Sequence, residues 1–397
     1  FYKEHLRGGP RYGVTVDGKC AFWQVKLPAD ARAYTRFSYN GKVYETCVAS
    51  MGHTAICELM QLIVKVAIGT PEYVKNYDDT IPNVRTSVWV DGALITGETE
   101  EEVQTAIDHV YKIAKEVNFT FKKQYHQVKP LRELEFIGIK FNFEHSTMIT
   151  ADKTLSKIPR VPPGYMAASE TEQLLGRLIF ASAVAQIPLI HYYFVMKSFK
   201  RICHRLNIGD LRPTHQIAVP SHKLLSQWCR AVHQTTTPKH APSYENADKT
   251  ALLFSDSTLE SWGAILMLPD GRVHSVGGRF EDGKNEPIHV REGQTVALSL
   301  GSFHSILSDE VRLGNINRLK SMVDNTTVEH NIRRGTCKSD SMAPIVKSVI
   351  DQSFELSLPV EMGRVGTDDN PTDEISRLKD IDIEKMLVAL EKGKKDA

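Results

Sequence analysis

The first 150 residues switch repeatedly between a two-residue and a 3.6-residue hydrophobic period. Gly13 to Asp17 reads as a β-rich run ending in the turn Asp17-Gly18, and Ala21 to Pro28 continues as a second extended stretch. Thr35 to Tyr39 and Val43 to Val48 flank Asn40-Gly41, a strong signal for a two-residue hairpin turn. Ile56, Leu59, Met60, Ile63, Val64 and Ala67 then recur at spacings of three and four, which predicts a helix stopped by Gly69-Thr70-Pro71. A second hairpin is expected about Asp91-Gly92, between Thr86 to Val90 and Ala93 to Thr96. A helix follows, burying Val103, Ile107, Val110, Tyr111, Ala114 and Val117. Residues 134–150 add a strand pair around Phe136-Ile137-Gly138-Ile139.

The pattern then changes. Helical runs from Glu170 to Pro188 and from His191 to Leu206 dominate residues 151–248, and the polar, proline-containing stretch Thr235 to Lys249 reads as a linker. A new α/β alternation opens at Ala251 to Asp256. It continues through a hairpin about Asp270-Gly271, a helix from about His289 to Leu307, a strand at Ser321 to Asn325, a helix from about Met342 to Gln352, a strand at Glu355 to Val360 and a short helix after Pro371. The predicted segments are therefore 1–150, 151–248 and 249–378, with a Lys/Asp-rich tail at 379–397. Internal repeats and low-complexity tracts are absent from the sequence.

Composition narrows the functional classes. With 41% hydrophobic and 24% charged residues, the chain is neither disordered nor fibrous. No apolar run approaches the roughly 18 residues of a membrane span, so no membrane partner is expected. The six cysteines make no metal-ligand spacing, which predicts free thiols in a reducing compartment, hence an intracellular location in cytoplasm or nucleus. Phe1 to Pro10 lacks the apolar core of a signal peptide, and a start at Phe1 predicts a fragment or processed product. The net charge of +1 hides an asymmetry, because residues 1–110 carry −3, residues 111–250 carry +10 and residues 251–397 carry −6. A basic middle between acidic flanks suits a polyanion gripped by its backbone while carboxylates act on it, although a solvated basic helical surface would look the same.

Two sets of carboxylates are candidates for that chemistry. Asp17 ends a β-rich run and Asp91 sits at a hairpin, and antiparallel packing would bring both to one sheet edge as ligands for a metal pair. Asp-Gly is also a favoured turn sequence, so each taken singly is explained by the turn alone. In the C-terminal part, Asp256 and Asp324 end strands, while Glu292 and Asp373 lie at helix starts. Four converging acids would raise one another's pKa unless cations neutralise them, which points to two bound Mg²⁺; scattered acids would instead be a solvated surface.

The wording around these acids is more specific. Val14-Thr15-Val16-Asp17-Gly18-Lys19-Cys20-Ala21-Phe22-Trp23-Gln24-Val25 resembles the "DLKSAFWQV" motif of retroelement reverse transcriptases. In the same order follow Met51-Gly52 with Gln61, Trp89-Val90-Asp91-Gly92 for the "YxDD" box, Phe119 with Lys122-Lys123, and Leu134-Glu135-Phe136-Ile137-Gly138 for the "EFLG" primer grip. Phe254-Ser255-Asp256-Ser257, Ile288-His289-Val290-Arg291-Glu292, Val323-Asp324-Asn325-Thr326-Thr327 and Asn370-Pro371-Thr372-Asp373-Glu374-Ile375-Ser376-Arg377 resemble the four blocks of a retroelement ribonuclease H. Glu172 to Ser182 resembles a helix of DIRS-type elements, so the whole is most similar to DIRS/VIPER-like retrotransposons.

The resemblance implies an α/β chain made of an α+β polymerase palm with its fingers largely missing (1–150), a mainly helical thumb/connection with linker (151–248) and a ribonuclease H-like domain with a mixed sheet (249–378). It implies Asp17 and Asp91 as polymerase metal ligands, and Asp256, Glu292, Asp324 and Asp373 as nuclease ligands, with two Mg²⁺ per site. Phe22, Gln61, Lys122 and Lys123 would contact the nucleotide, one of the lysines protonating pyrophosphate, and Phe136 and Gly138 would grip the primer. The partners implied are an RNA/DNA hybrid, an RNA template, a DNA primer and dNTPs. Gly92 stands where the family has a second Asp, so polymerase activity is expected to be weakened or lost while RNA hydrolysis remains. A decayed or domesticated, non-catalytic nucleic-acid-binding module is the alternative.

Overall fold

The computed structural model describes residues 5–6, 9–52, 54–68, 84–234, 239–240, 249–281 and 286–379. The predicted helix stop at 69–71, nearly all of the 235–249 linker and the tail from 380 lie outside them. The chain divides into two compact units, Phe1–Ile158 with Val232–Ser243, and Pro159–Ala231 with Tyr244–Ala397.

In the first unit β1 (Tyr12–Asp17) is paired antiparallel with β5 (Gly92–Gly97), which pairs in turn with β4 (Arg85–Trp89). Between them in sequence lie the hairpin β2 (Arg36–Tyr39)–β3 (Lys42–Glu45) and helix α1 (Thr54–Ile68). Helix α2 (Glu100–Glu116) starts at a capping box, in which Thr99 and Glu102 exchange side-chain to backbone hydrogen bonds. Its Val103, Ala106, Ile107, Val110, Ile113 and Ala114 are buried, whereas Tyr111 is only partly buried and Val117, expected on the same face, caps the helix and is exposed. Together with Met60, Val64 and Ala67 of α1 and Val14, Val16, Ala93 and Ile95 of the sheet they form one core. A second sheet is built from β6 (Glu133–Phe136), β7 (Ile139–Asn142) and β8 (Thr147–Thr150), so residues 133–150 give three strands rather than a pair.

Two local expectations are corrected here. Residues 21–24 form a 3₁₀ turn rather than extended chain. The Gln24 side chain explains the change, because it donates to the carbonyls of Lys19 and Thr120 at 2.7 and 2.8 Å and accepts from the Thr120 amide at 2.7 Å, pulling the chain back. The second hairpin turns at Val90-Asp91, one residue earlier than the Asp-Gly pair suggests, since Trp89 pairs with Gly92 across the ladder. Val90 consequently sits at φ 55°, a left-handed conformation that is strained for a β-branched residue.

The second unit opens with the helices α3 (Ala168–Ala185), α4 (Tyr193–Asn207) and α5 (His222–Gln234), the last not foreseen from the sequence. Tyr192 stacks on the buried Trp228 with ring centroids 4.7 Å apart, and the Trp228 indole donates to Ser182 at 2.7 Å. The rest is a five-stranded mixed sheet ordered β11 (Val273–Arg279), β10 (Ser261–Met267), β9 (Thr250–Ser257), β12 (Arg318–Val323), β13 (Val360–Arg364). The first three strands are antiparallel neighbours; β12 and β13 run parallel to β9. Helix α6 spans Ile288–Ser302 and α7 His304–Arg312, so the single expected helix breaks at Phe303, which is buried. Helix α8 is Thr326–Arg334, and α9 (Ala343–Glu355) runs into the start of the stretch expected as a strand. Ser357 at φ 51° ends it, and pairing with β12 begins where the Leu319 amide donates to the Pro359 carbonyl at 2.9 Å, with Leu319 level with Val360. The short helix α10 (Asp373–Ser376) closes the sequence of elements.

This is a mixed α/β architecture with a five-stranded mixed sheet, the fold class expected from the sequence. Among the described residues, no helix is long and apolar enough to cross a membrane.

Candidate active sites

In the first unit the ladder brings Asp17 opposite Gly92, and the Gly18 amide donates to the Asp91 carbonyl at 2.8 Å. Asp17 and Asp91 therefore share one edge of the sheet. Gly18 is required there for space: a Cβ would lie 2.7 Å from that of Ala21 and 2.9 Å from the Phe119 ring. The Lys122 amide donates to the Asp17 carbonyl at 2.7 Å, and the Lys122 ammonium donates to Asp17 Oδ2 at 2.6 Å, both side chains about half exposed. That hydrogen bond is the main reason the Lys122 pKa is raised.

Phe136 ends the strand preceding the turn Ile137-Gly138, both residues of which have positive φ. Its ring edge would stand 3.5 Å from a Cβ on Gly92, so this hairpin lies beside the Asp17 edge. Phe22 packs against the core, Gln61 is half-buried on α1, and Lys123 is exposed with its carbonyl accepting from the Tyr111 hydroxyl at 2.7 Å. Among the described residues, no hydrogen bond or ion pair joins these three side chains to Asp17 or Asp91.

In the second unit β9 and β12 are parallel, with Phe254 level with Met322. Continuing that register by two residues sets Asp256 level with Asp324, at the same end of adjacent strands. Glu292 lies one turn into α6, which packs on β9 and β10, and Asp373 opens α10, which packs on β10. Two of these carboxylates, Asp256 and Glu292, are shifted by their surroundings. Asp256 is pushed above the usual carboxylate range by burial, opposed by a hydrogen bond from Ser376, and raised further by Asp324 and Asp373. Glu292 is pushed up to about 7 by burial, then by Asp324 and Asp256, against a hydrogen bond from Asn325.

Among the described residues, no three His, Cys, Asp or Glu side chains stand close enough together to hold a metal ion as they are. The donor set nevertheless fits hard cations, which take oxygen ligands. Glu292 Oε2 is buried and accepts no hydrogen bond, and a cation would relieve the repulsion that raises Asp256 and Glu292. The first unit fits a metal pair poorly: Gly92 supplies no carboxylate, and one Asp17 oxygen already accepts from an ammonium.

Residues that the sequence did not single out complete the second site. The Ser376 hydroxyl donates to Asp256 Oδ2 at 2.6 Å, and Arg377 pairs with Asp373 Oδ1 at 2.7 Å. Asn370 donates to the Ser255 carbonyl at 3.2 Å and accepts from the Thr372 hydroxyl at 2.6 Å. Beside the acids opens a groove of about 1100 Å³ whose lining includes His289, one turn before Glu292, and Thr326-Thr327, just after Asp324. Lys200, Arg201 and Arg205 of α4, together with Arg334 of α8 and Lys338, make it cationic. Arg205 is paired with Asp210 at 2.7 Å, so the groove's charge comes mainly from the others. The i, i+1 and i+5 spacing of Lys200, Arg201 and Arg205 on one helix was the sequence signal available.

Residues 3–141 match the family model of reverse transcriptase (RNA-dependent DNA polymerase). Solved structures similar to the chain include the foamy viral protease-reverse transcriptase dRH with double-stranded DNA, at 16% identity and TM-score 0.44, covering 91% of this chain and 58% of that one. The foamy viral protease-reverse transcriptase with an RNA/DNA hybrid matches at 14% identity and TM-score 0.46, covering 92% and 45%. The chain thus spans about half the length of these two proteins. No curated protein matches it.

Proposed function

We propose that this chain, which carries a reverse transcriptase domain over residues 3–141, is the reverse transcriptase/ribonuclease H portion of a retrotransposon polyprotein, of DIRS/VIPER-like type, and that it cuts the RNA strand of RNA/DNA hybrids. The observation that carries this reading lies at one end of the mixed sheet, where burial and then the repulsion of neighbouring carboxylates raise both Asp256 and Glu292. Structural ion networks do not bury like charges together without a counter-charge. Bound Mg²⁺ would supply Lewis acidity for the attack of water on an RNA phosphodiester and for the leaving 3′-oxygen. Asp256, Glu292, Asp324 and Asp373 would hold the metals, and the cationic groove would bind phosphates without reading sequence, so that a hybrid is selected by groove shape and its 2′-hydroxyls.

The polymerase site is read as weakened or lost. Among the described residues, Asp17 faces Gly92 rather than a third carboxylate across the ladder, and Lys122 neutralises Asp17. The same observation favours, as a second reading, a non-catalytic nucleic-acid-binding module. Purified protein mixed with a labelled RNA/DNA hybrid and Mg²⁺ separates the two. The nuclease reading expects RNA-strand cleavage that Asp256→Asn abolishes; salt-sensitive binding without turnover would replace it with the binding module.

A further inference from the structure

We propose that Ser376 is a positioning residue of the nuclease site, holding one oxygen of Asp256 so that the other faces the metals. The inference rests on the ribonuclease reading above and adds to it a residue outside the four carboxylates. Ser376 is completely buried, and its hydroxyl lies 2.6 Å from Asp256 Oδ2. A buried hydroxyl ordinarily returns its proton to a carbonyl of its own helix, and the Asp373 carbonyl is within reach at 2.9 Å. The carboxylate offers the shorter, charge-assisted bond.

The surroundings fix Ser376 where it is. Its carbonyl accepts from the Ser261 hydroxyl at 2.6 Å, tying the last turn of α10 to β10. Below it the sheet has no side chains: a Cβ on Gly263 would stand 2.7 Å from the Ser376 amide nitrogen, and one on Gly277 2.8 Å from Ile375. Gly263 is the ladder partner of Asp256. The glycines let α10 sit directly on the sheet, and the residue that touches down there reaches across to the carboxylate beside it. The next residue, Arg377, pairs with Asp373 at 2.7 Å, so two consecutive residues at the end of α10 restrain two of the four acids. Asn370 adds a third tie by donating to the Ser255 carbonyl, next to Asp256. Partners that orient a ligand in this way typically account for about 10- to 100-fold of metal affinity.

The test measures Mn²⁺ affinity by electron paramagnetic resonance and the Mg²⁺ concentration for half-maximal hybrid cleavage, in the full chain. Ser376→Ala is expected to weaken Mn²⁺ binding about tenfold and to raise the Mg²⁺ requirement, with the cleavage rate at saturating Mg²⁺ falling less. Ser376→Thr, which keeps the hydroxyl, should stay close to the parent, and Ser376→Cys, of similar size but a weak donor, should fall between. Unchanged Mn²⁺ affinity in both Ser376→Ala and Ser376→Cys overturns the positioning role, as does equal loss in Ser376→Thr and Ser376→Ala. A parent chain that neither cleaves nor binds Mn²⁺ through Asp256 would instead overturn the nuclease reading itself.

Discussion

Lys122 and Asp17 form an ion pair at 2.6 Å on the sheet edge where a reverse transcriptase is expected to hold metal. Both side chains are about half exposed, so the pair adds at most about 1 kcal/mol to stability. Lys122→Met should therefore leave the urea midpoint nearly unchanged. Its effect should appear at Asp17, whose freed oxygen becomes available to cations: Mn²⁺ binding dependent on Asp17 should rise in the variant. Equal Mn²⁺ binding in parent and variant would show that the ammonium does not compete.

Gly92→Asp tests the missing carboxylate. Gly92 has no positive φ, and a Cβ there meets nothing closer than 3.5 Å, so the substitution fits the strand. It adds a third negative charge beside Asp17 and Asp91. Thermal melts should accordingly fall in EDTA and recover with Mg²⁺, and primer extension should exceed that of the parent. Two equally inactive proteins would mean that a carboxylate at this position is not what limits primer extension.

Much of the fold is legible in the sequence because periodicity and turn chemistry act locally. The α2 stripe from Val103 to Ala114, the Asn40-Gly41 hairpin and the strands ending at Asp17 and close to Asp256 follow from spacing alone. Bonds between distant residues are not legible. Gln24 reshapes residues 21–24 by bonding to Thr120, and Ser376 reaches Asp256 across 120 positions. The end of α9 is obscured because Leu356 and Leu358 look like a strand, yet they are buried in the loop after the helix. Their burial follows from where β13 pairs, which no local window contains.

Gly263→Ala probes the seat of α10. A methyl group 2.7 Å from the Ser376 backbone nitrogen must push the helix off the sheet. Overpacking of this kind costs about 1–3 kcal/mol, measurable as a lower urea midpoint with unchanged slope. Gly271→Ala, on an exposed turn with positive φ and open space around it, is the control for backbone strain without a clash.

The groove predicts a salt-linked phenotype. Lys200→Ala with Arg334→Ala should weaken hybrid binding, and the slope of log K against log salt should become shallower by about 1 for each phosphate that is no longer neutralised. A weaker affinity with an unchanged slope would mean that these residues act by shape rather than charge.

Glu292 gives the pH dependence its sign. Its folded pKa of about 7 lies above the ordinary 4.5, so without metal the folded state holds a proton that the unfolded chain releases. Its favourable contribution is complete below about pH 4.5 and disappears as pH rises through 7. The difference of about 2.5 pH units corresponds to about 3 kcal/mol, which is the most this group can cost the metal-free fold at pH 8. Glu292→Gln cannot ionise. In EDTA its stability relative to the parent should therefore grow between about pH 5 and pH 8, followed by urea denaturation at each pH. Saturating Mg²⁺ should cancel that advantage, because the parent's ionised carboxylate then has a cation to face; a constant difference across the range would mean that Glu292 ionises as freely in the fold as out of it.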